Sequence, residues 1–375
     1  MTITINNKNK KTNVPNLRFP EFQGEWEYFL INDVCSEFKS GKNIKADFVF
    51  ECGEYPVYGG NGLRGYTSSY NHEGSYVLIG RQGALCGNVR SVYGKTYITE
   101  HAIAVAGNEK SNTNFLHYLF LKMNLGQYSD QSAQPGLAVN KLLKLKVALP
   151  IISEQTKIAK LLSLLDERIA TQNKIIDKLQ TLIKGIVDST ILRKEKNAIV
   201  GDVCSISEQI RAEANIDDII TVRLHGNGVC KSSAENLQLG ATQYYRRRAG
   251  QLIYGKQNFH NGAIGIVPIS LDNGITSKDI PSFDIDEMKC NSVYLLAQLQ
   301  SPQYYKPAEA LTTGTGSKRL KEETFLKMPI VLPNKREQDN IATLIISISA
   351  NLDQAKKMLD LFSIQKQYLL RQMFI

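Results

Sequence analysis

The chain has 375 residues, more than one hydrophobic core usually serves, and 45 Lys and Arg against 36 Asp and Glu leave a net charge of +9, a balance that suits a polyanionic partner. Its six cysteines (Cys35, Cys52, Cys86, Cys204, Cys230, Cys290) show no CxxC pair and no zinc spacing, which argues against a disulfide scaffold and for free thiols in a reducing compartment. No apolar run is long enough for a membrane span and the polar, lysine-rich start holds no signal-peptide core, so a soluble, cytoplasmic protein is expected.

In chain order, an arm (1–23) leads into a stretch (24–150) of short β-rich runs such as Ser75-Tyr76-Val77-Leu78-Ile79, broken by glycine-rich turns and followed by a short helix. Tyr58-Gly59-Gly60-Asn61-Gly62-Leu63-Arg64-Gly65-Tyr66 and Arg81-Gln82-Gly83 place amide and guanidinium groups on loops whose bare backbone lets a partner come close. Arg presents a fork that fits guanine in the major groove, and Asn or Gln one that fits adenine, which makes Tyr58, Asn61, Arg64, Arg81 and Gln82 candidate DNA contacts. Gly94-Lys95-Thr96 has the ending of a phosphate-binding loop, but Val89 stands where that loop needs glycine, so the tripeptide reads as a hairpin turn. The glycines of Gly80-Arg81-Gln82-Gly83-Ala84-Leu85-Cys86-Gly87 have the wrong spacing for a dinucleotide fingerprint.

Leu149-Pro150-Ile151-Ile152-Ser153-Glu154-Gln155 then opens a long helix within 151–196, with Ser153 as its expected N-cap. Apolar residues recur at alternating steps of four and three: Ile158, Leu162, Leu165, Ile169, Ile176, Leu179, Ile183 and Ile186, with Gln172 the one polar member. This is the narrow stripe of a coiled-coil seam, so the helix needs a partner helix. From Glu154 to about Ile191 the pattern runs some 38 residues, or roughly 57 Å.

A second β-rich stretch (197–333) opens with Asp202-Val203-Cys204-Ser205, repeating Asp33-Val34-Cys35-Ser36 after 169 residues, and contains the run Gly250-Gln251-Leu252-Ile253-Tyr254. Its basic and amide-rich segments are Arg246-Arg247-Arg248, Lys256-Gln257-Asn258-Phe259-His260-Asn261 and Gly314-Thr315-Gly316-Ser317-Lys318-Arg319. They add Arg246, Arg247, Arg248, Lys256, Gln257, Asn258, Lys318 and Arg319 to the candidate contacts. Leu332-Pro333-Asn334-Lys335-Arg336-Glu337-Gln338 repeats the helix opening 183 residues after its first copy, with Asn334 and Glu337 spaced as a capping box, and the helix fills 334–375. Its seam has the same phase: Ile341, Ile345, Ile348, Leu352, Ala355, Leu359, Phe362 and Leu369, interrupted by Lys366, a polar residue of the kind that fixes register. Two copies of one unit imply two copies of one job, and the differing offsets make the second globular part longer by 14 residues.

Constellations for covalent chemistry are missing. Glu287-Met288-Lys289 after Asp272 or Asp279 only loosely imitates a metal-dependent nuclease site, the histidines (His72, His101, His117, His225, His260) form no ligand pair, and no Asn-Pro-Pro-aromatic element is found. No catalytic or metal-binding residue is assigned, and no cofactor is expected in this chain.

The opening Asn13-Val14-Pro15-Asn16-Leu17-Arg18-Phe19-Pro20-Glu21-Phe22 with Gly24-Glu25-Trp26, the Gly-Asn-Gly and Gly-Arg-Gln-Gly loops and the duplicated Leu-Pro-x-x-x-Glu-Gln helices resemble the DNA specificity (S) subunit of type I restriction-modification enzymes. The resemblance implies an α+β chain with an internal pseudo-two-fold repeat. Two globular mixed α/β target recognition domains (24–150 and 197–333) would be separated by two long antiparallel coiled-coil helices (151–196 and 334–375). Each domain would read half of a split DNA sequence. The helices would dock two methyltransferase (modification) subunits, which use S-adenosylmethionine to methylate adenine, and restriction subunits would add ATP- and Mg-dependent chemistry. The second opening, Ala198 to Val203, is shorter and lacks the tryptophan, so an equivalent arm is not expected there. The other readings are a stand-alone nucleic-acid-binding scaffold without a methyltransferase partner, and an unrecognised metal nuclease.

Overall fold

A computed structural model describes residues 4–5, 13–130, 135–232, 242–314 and 317–375. Most of the lysine-rich start, and Thr315 and Gly316 of the last basic loop, lie outside the described residues. The chain divides into two compact units, residues 1–173 with 358–375, and residues 174–357.

In the first unit, β1 (Glu27–Leu30) is the antiparallel partner of β8 (Lys146–Leu149), the strand that Pro150 ends. Between them a six-stranded sheet is built from β2 (Cys35–Ser40), β3 (Tyr55–Gly59), β4 (Gly62–Thr67), β5 (His72–Gly80), β6 (Val89–Ile98) and β7 (Ala102–Gly107). Its order is β2-β7-β5-β6-β3-β4, antiparallel except where β3 runs parallel to β6. The Gly94-Lys95-Thr96 tripeptide expected to turn lies inside β6, opposite Gly74, Glu73 and His72 of β5. The β-branched and aromatic residues on both its sides carry the ladder through it. Helix α1 (Thr113–Met123) packs Phe115, Leu116, Leu119 and Phe120 into the core, where Trp26 meets Phe115 and Phe374 edge-on.

The second unit uses shorter strands. β9 (Cys204–Ile206), β17 (Ser282–Ile285), β14 (Leu252–Tyr254) and β15 (Ile264–Ile266) form one sheet in that order. A second sheet runs β10 (Arg211–Ala212), β13 (Tyr244–Arg247), β16 (Gly274–Ser277), and β11 (Ile220–Val222) pairs with β12 (Val229–Lys231). Tyr254, Phe259, Phe283 and Phe325 centre its core, onto which α3 (Ser292–Leu299) packs.

The long helices are α2 (Ile152–Val187), continued by a π-turn to Leu192, and α4 (Lys335–Gln372). Each gives part of its length to each unit. In the first unit, Ile158, Leu162 and Leu165 of early α2 join a core with Leu369 of late α4, and Phe362 packs against it. In the second, Val187 and Ile191 join Ile341 and Ile345 of early α4, with Ile183 and Ile186 packed on them. Early residues of one helix meet late residues of the other both times, so the segments run antiparallel within each unit. All the seam residues named from the sequence are buried or partly buried. Lys366 keeps its place there by pairing with Asp166 at 2.5 Å, its ammonium 5.7 Å from the Tyr118 ring centre.

The expected caps split. Asn334 caps α4, its Oδ1 accepting from Glu337 N at 3.0 Å. Ser153 does not cap α2: the helix has begun at Ile152, and the Ile151 carbonyl takes the bonds from Glu154 N and Gln155 N. With Ile151 in the N-cap place, the serine side chain is two positions too late to act.

Candidate nucleic-acid interface

The duplicated motif does the same work in both units. Gln155 Oε1 accepts from Asn112 N at 2.8 Å while its Nε2 donates to the Pro150 and Lys110 carbonyls, at 2.8 and 2.9 Å. Gln338 repeats the clamp with Asn291 N at 2.8 Å and the Pro333 and Lys289 carbonyls, at 2.8 and 3.1 Å. The clamped asparagine caps the next helix in each case, Asn112 accepting from Phe115 N and Asn291 from Val293 N and Tyr294 N. Both glutamines are buried. An amide fits because one side must accept while the other donates to two carbonyls. The motif therefore locks a long helix to the short helix of its own globular part.

The preceding glutamate differs between copies. Glu154, fully buried, holds Arg18 of the N-terminal arm through two bonds of 2.8 and 2.7 Å. The arginine also donates to the Gly24 and Gln23 carbonyls. Glu337 is only partly buried and pairs with Lys194 instead.

Two glycine-rich segments that are distant in sequence form one surface in the first unit. The first is a hairpin, β3 to β4, rather than a loop, and its turn is Gly60-Asn61. A side chain at Gly60 would strike the His101 carbonyl at 2.7 Å and approach Gly80 Cα and Arg81 N, so the hairpin tip rests on the start of the Arg81-Gln82-Gly83 loop. Asn61, Arg64 and Gln82 are exposed, and Arg81 and Tyr58 are partly buried. Tyr58 packs on the small cluster of Leu78, Val92, Ile98, Ala102 and Ala104. Gln82 bonds His101 at 3.2 Å, and the Arg81 carbonyl accepts from Leu137 N.

The second set divides. Arg246 and Arg248 are exposed and line a cavity of about 430 Å³ with Gln251, Glu208, Asp284 and Glu287. Gln257 and Asn258, also exposed, follow the opposite end of β14. Lys318 and Arg319 join that end, with Arg319 3.4 Å from Asp279 and Leu320 N bonded to the Lys256 carbonyl.

Two expected contacts are corrected. Arg247 is 0% exposed, its guanidinium held by Thr276 Oγ1 at 2.7 Å, Ser282 Oγ at 2.9 Å, the Ile280 carbonyl at 3.0 Å and Gln209 Oε1 at 3.4 Å. Burial lowers its pKa to about 10, leaving it a cation at neutral pH. In a run of three arginines the pleat turns the middle one inward while its neighbours stay in water. Lys256 also turns inward, pairing with Glu322 at 2.7 Å with its side chain 12% exposed.

The sequence reading missed Arg90, an exposed residue of β6 whose guanidinium reaches the hairpin tip. It also missed apolar side chains beside the seam. In the first unit Leu361, Ile364 and Tyr368 of α4 are 59%, 62% and 50% exposed at helical spacing, and Leu164 of α2 is 48% exposed. In the second unit Ile175, Leu182, Leu344 and Ile346 are likewise open. A seven-residue template for the seam alone hides both sets.

Reactive groups are quiet. Burial pushes the Cys35, Cys204 and Cys290 thiols up to about 12, which keeps them protonated. Among the described residues no three His, Cys, Asp or Glu side chains converge as a metal site, and no helix is long and apolar enough to cross a membrane. Asp272 accepts from Ala249 N and Asp279 pairs with Arg319.

Residues 23–181 match the family model for the type I restriction modification DNA specificity domain. The type I restriction enzyme EcoprrI specificity subunit of Escherichia coli is 42% identical over 204 residues, 52% of this chain and 47% of that protein. The MjaVIII specificity subunit of Methanocaldococcus jannaschii is 23% identical over 386 residues, 91% of this chain and 89% of that protein. The S subunit of a type I restriction-modification system from M. genitalium has the same fold, with a TM-score of 0.72 at 14% identity, over 96% of this chain and 99% of that one. The chain spans about half the length of the Escherichia coli relative. Residues 23–181 are thus similar to the type I specificity domain, and the chain shares the fold of the M. genitalium S subunit over nearly all its length.

Proposed function

We propose that this chain is the DNA-reading specificity subunit of a type I restriction-modification complex and performs no covalent chemistry itself. Residues 24–150 and 197–333 act as target recognition domains, each reading one half of a bipartite duplex site. The helices of 151–196 and 334–375 carry two modification subunits, which bind S-adenosylmethionine and methylate adenine; restriction subunits bring ATP- and Mg-dependent steps. The observation that carries this reading is the glutamine clamp made identically by Gln155 and Gln338 beneath unlike surfaces. A fixed frame with two divergent faces is what reading two different half-sites requires. The net charge of +9 agrees with a phosphate-rich partner, and the open apolar residues beside the seam agree with subunits docked on the helices.

Tyr58, Asn61, Arg64, Arg81 and Gln82 contact one half-site, and Arg246, Arg248, Gln257, Asn258, Lys318 and Arg319 the other. The test is to replace residues 24–149 with the corresponding domain of another specificity subunit, co-express the hybrid with the modification subunit, and sequence the methylome. One half of the methylated motif is expected to change while the other persists. A motif altered in both halves contradicts the modular reading.

A further inference from the structure

We infer that Arg90 is a specificity-determining residue of the first recognition surface, reading a guanine from a seat provided by Gly62; this rests on the DNA-reading function proposed above. The hairpin Tyr58-Gly59-Gly60-Asn61-Gly62 supports an arginine at each end. A Cβ at Gly62 would stand 2.9 Å from Arg90 Cζ, 3.0 Å from Nη2 and 3.2 Å from Nη1, so the guanidinium lies flat over bare backbone. A Cβ at Gly59 would stand 2.8 Å from Arg64 Cδ, so the Arg64 stem crosses the other glycine. Gly62 has φ +105°, a conformation that side chains resist, which keeps this seat open. The glycines thus bring two arginines from different strands to the hairpin tip.

The arrangement is held in place. The register of β3 and β4 shifts between Val57 and Tyr58, leaving Arg64 as the extra residue of a β-bulge, a device that re-aims a side chain. Beneath the tip, Thr99 N bonds the Tyr58 carbonyl at 2.9 Å, and Gly60 is packed on the His101 carbonyl. β4 is the last strand of its sheet, and the bridge on its outer edge, Phe50 with Tyr66, lies at the end of the strand away from the Gly60-Asn61 tip. The major groove admits a two-stranded ribbon, and an arginine there makes its commonest specific contact with guanine O6 and N7. Among the described residues of the first unit, no ion pair ties a carboxylate to Arg90 or to Arg64. Both forks are therefore open to an acceptor from outside.

The experiment uses the full chain co-expressed with its modification subunit in a host without other adenine methylation. The unaltered complex gives the motif, and Arg90→Lys and Arg90→Gln are compared with it by methylome sequencing and by binding to that duplex at several salt concentrations. Both are changes at an exposed side chain, so folding is expected to be retained, and thermal unfolding checks it. Lysine keeps the charge without the planar fork. Arg90→Lys is expected to relax one guanine position in one half-site, with discrimination there falling on the order of tenfold to a hundredfold and the salt slope unchanged. A motif kept intact, with binding unchanged or weakened alike for all sequences, overturns the inference, as does a half-site without guanine. If the unaltered complex methylates no bipartite motif, the recognition reading itself is overturned and this inference with it.

Discussion

Glu154 and Glu337 occupy the same place in two copies of one motif, yet their environments set opposite energetic stakes. Glu154 is buried and its charge is met by Arg18 in a two-bond fork. Removing one partner of such a pair leaves the other charged and dry. Arg18→Ala is therefore expected to destabilise the first unit by about 3–5 kcal/mol, read by urea unfolding. Lys194→Ala, which frees a Glu337 that still reaches solvent, is expected to cost less than about 1 kcal/mol. Equal losses would contradict this ranking. The sequence shows why the copies differ: only the first is preceded by an arm that can supply an arginine. Side-chain direction was less legible, since a run of three arginines reads as three surface charges until the strand that contains it is known. Arg247 was misplaced for that reason, and Lys256 because Glu322, its partner, is distant in sequence.

The helices were the most legible elements, because an apolar seam that holds one phase over many turns is satisfied only by a partner helix. Packing in both units follows it. The strands were harder. Gly94 carries a turn's composition but lies within a ladder, and the basic segments of the second unit could not be assigned to the two ends of β14 without the sheet order. Under the proposed docking of modification subunits on the helices, folding and docking fall to different residues. Leu162 is fully buried, and Leu162→Ala is expected to cost about 2–5 kcal/mol. Leu361→Ala with Ile364→Ala, on the open face, is expected to leave the unfolding midpoint almost unmoved while lowering co-purification of the modification subunit. Retention of that subunit at the unaltered level would show that it docks elsewhere.

For the whole molecule, the proposed bipartite reading makes helix length a determinant of the target. Removing one heptad from both α2 and α4 is expected to shorten the gap between half-sites by roughly 10 Å, on the order of three base pairs. Methylome sequencing of the shortened protein checks this, and an unchanged gap would free the helices from that role.

The first unit is completed by residues 358–375, with Phe374 against Trp26 and Phe115, while the second unit is one uninterrupted stretch inserted within it. On the ribosome the second unit can close as soon as it emerges, whereas the first, although begun earlier, must wait for a late tail. Birth order is thus reversed relative to chain order. A nascent chain arrested before residue 358 would expose the tryptophan face of its first unit, making that stalled species the one in need of a chaperone.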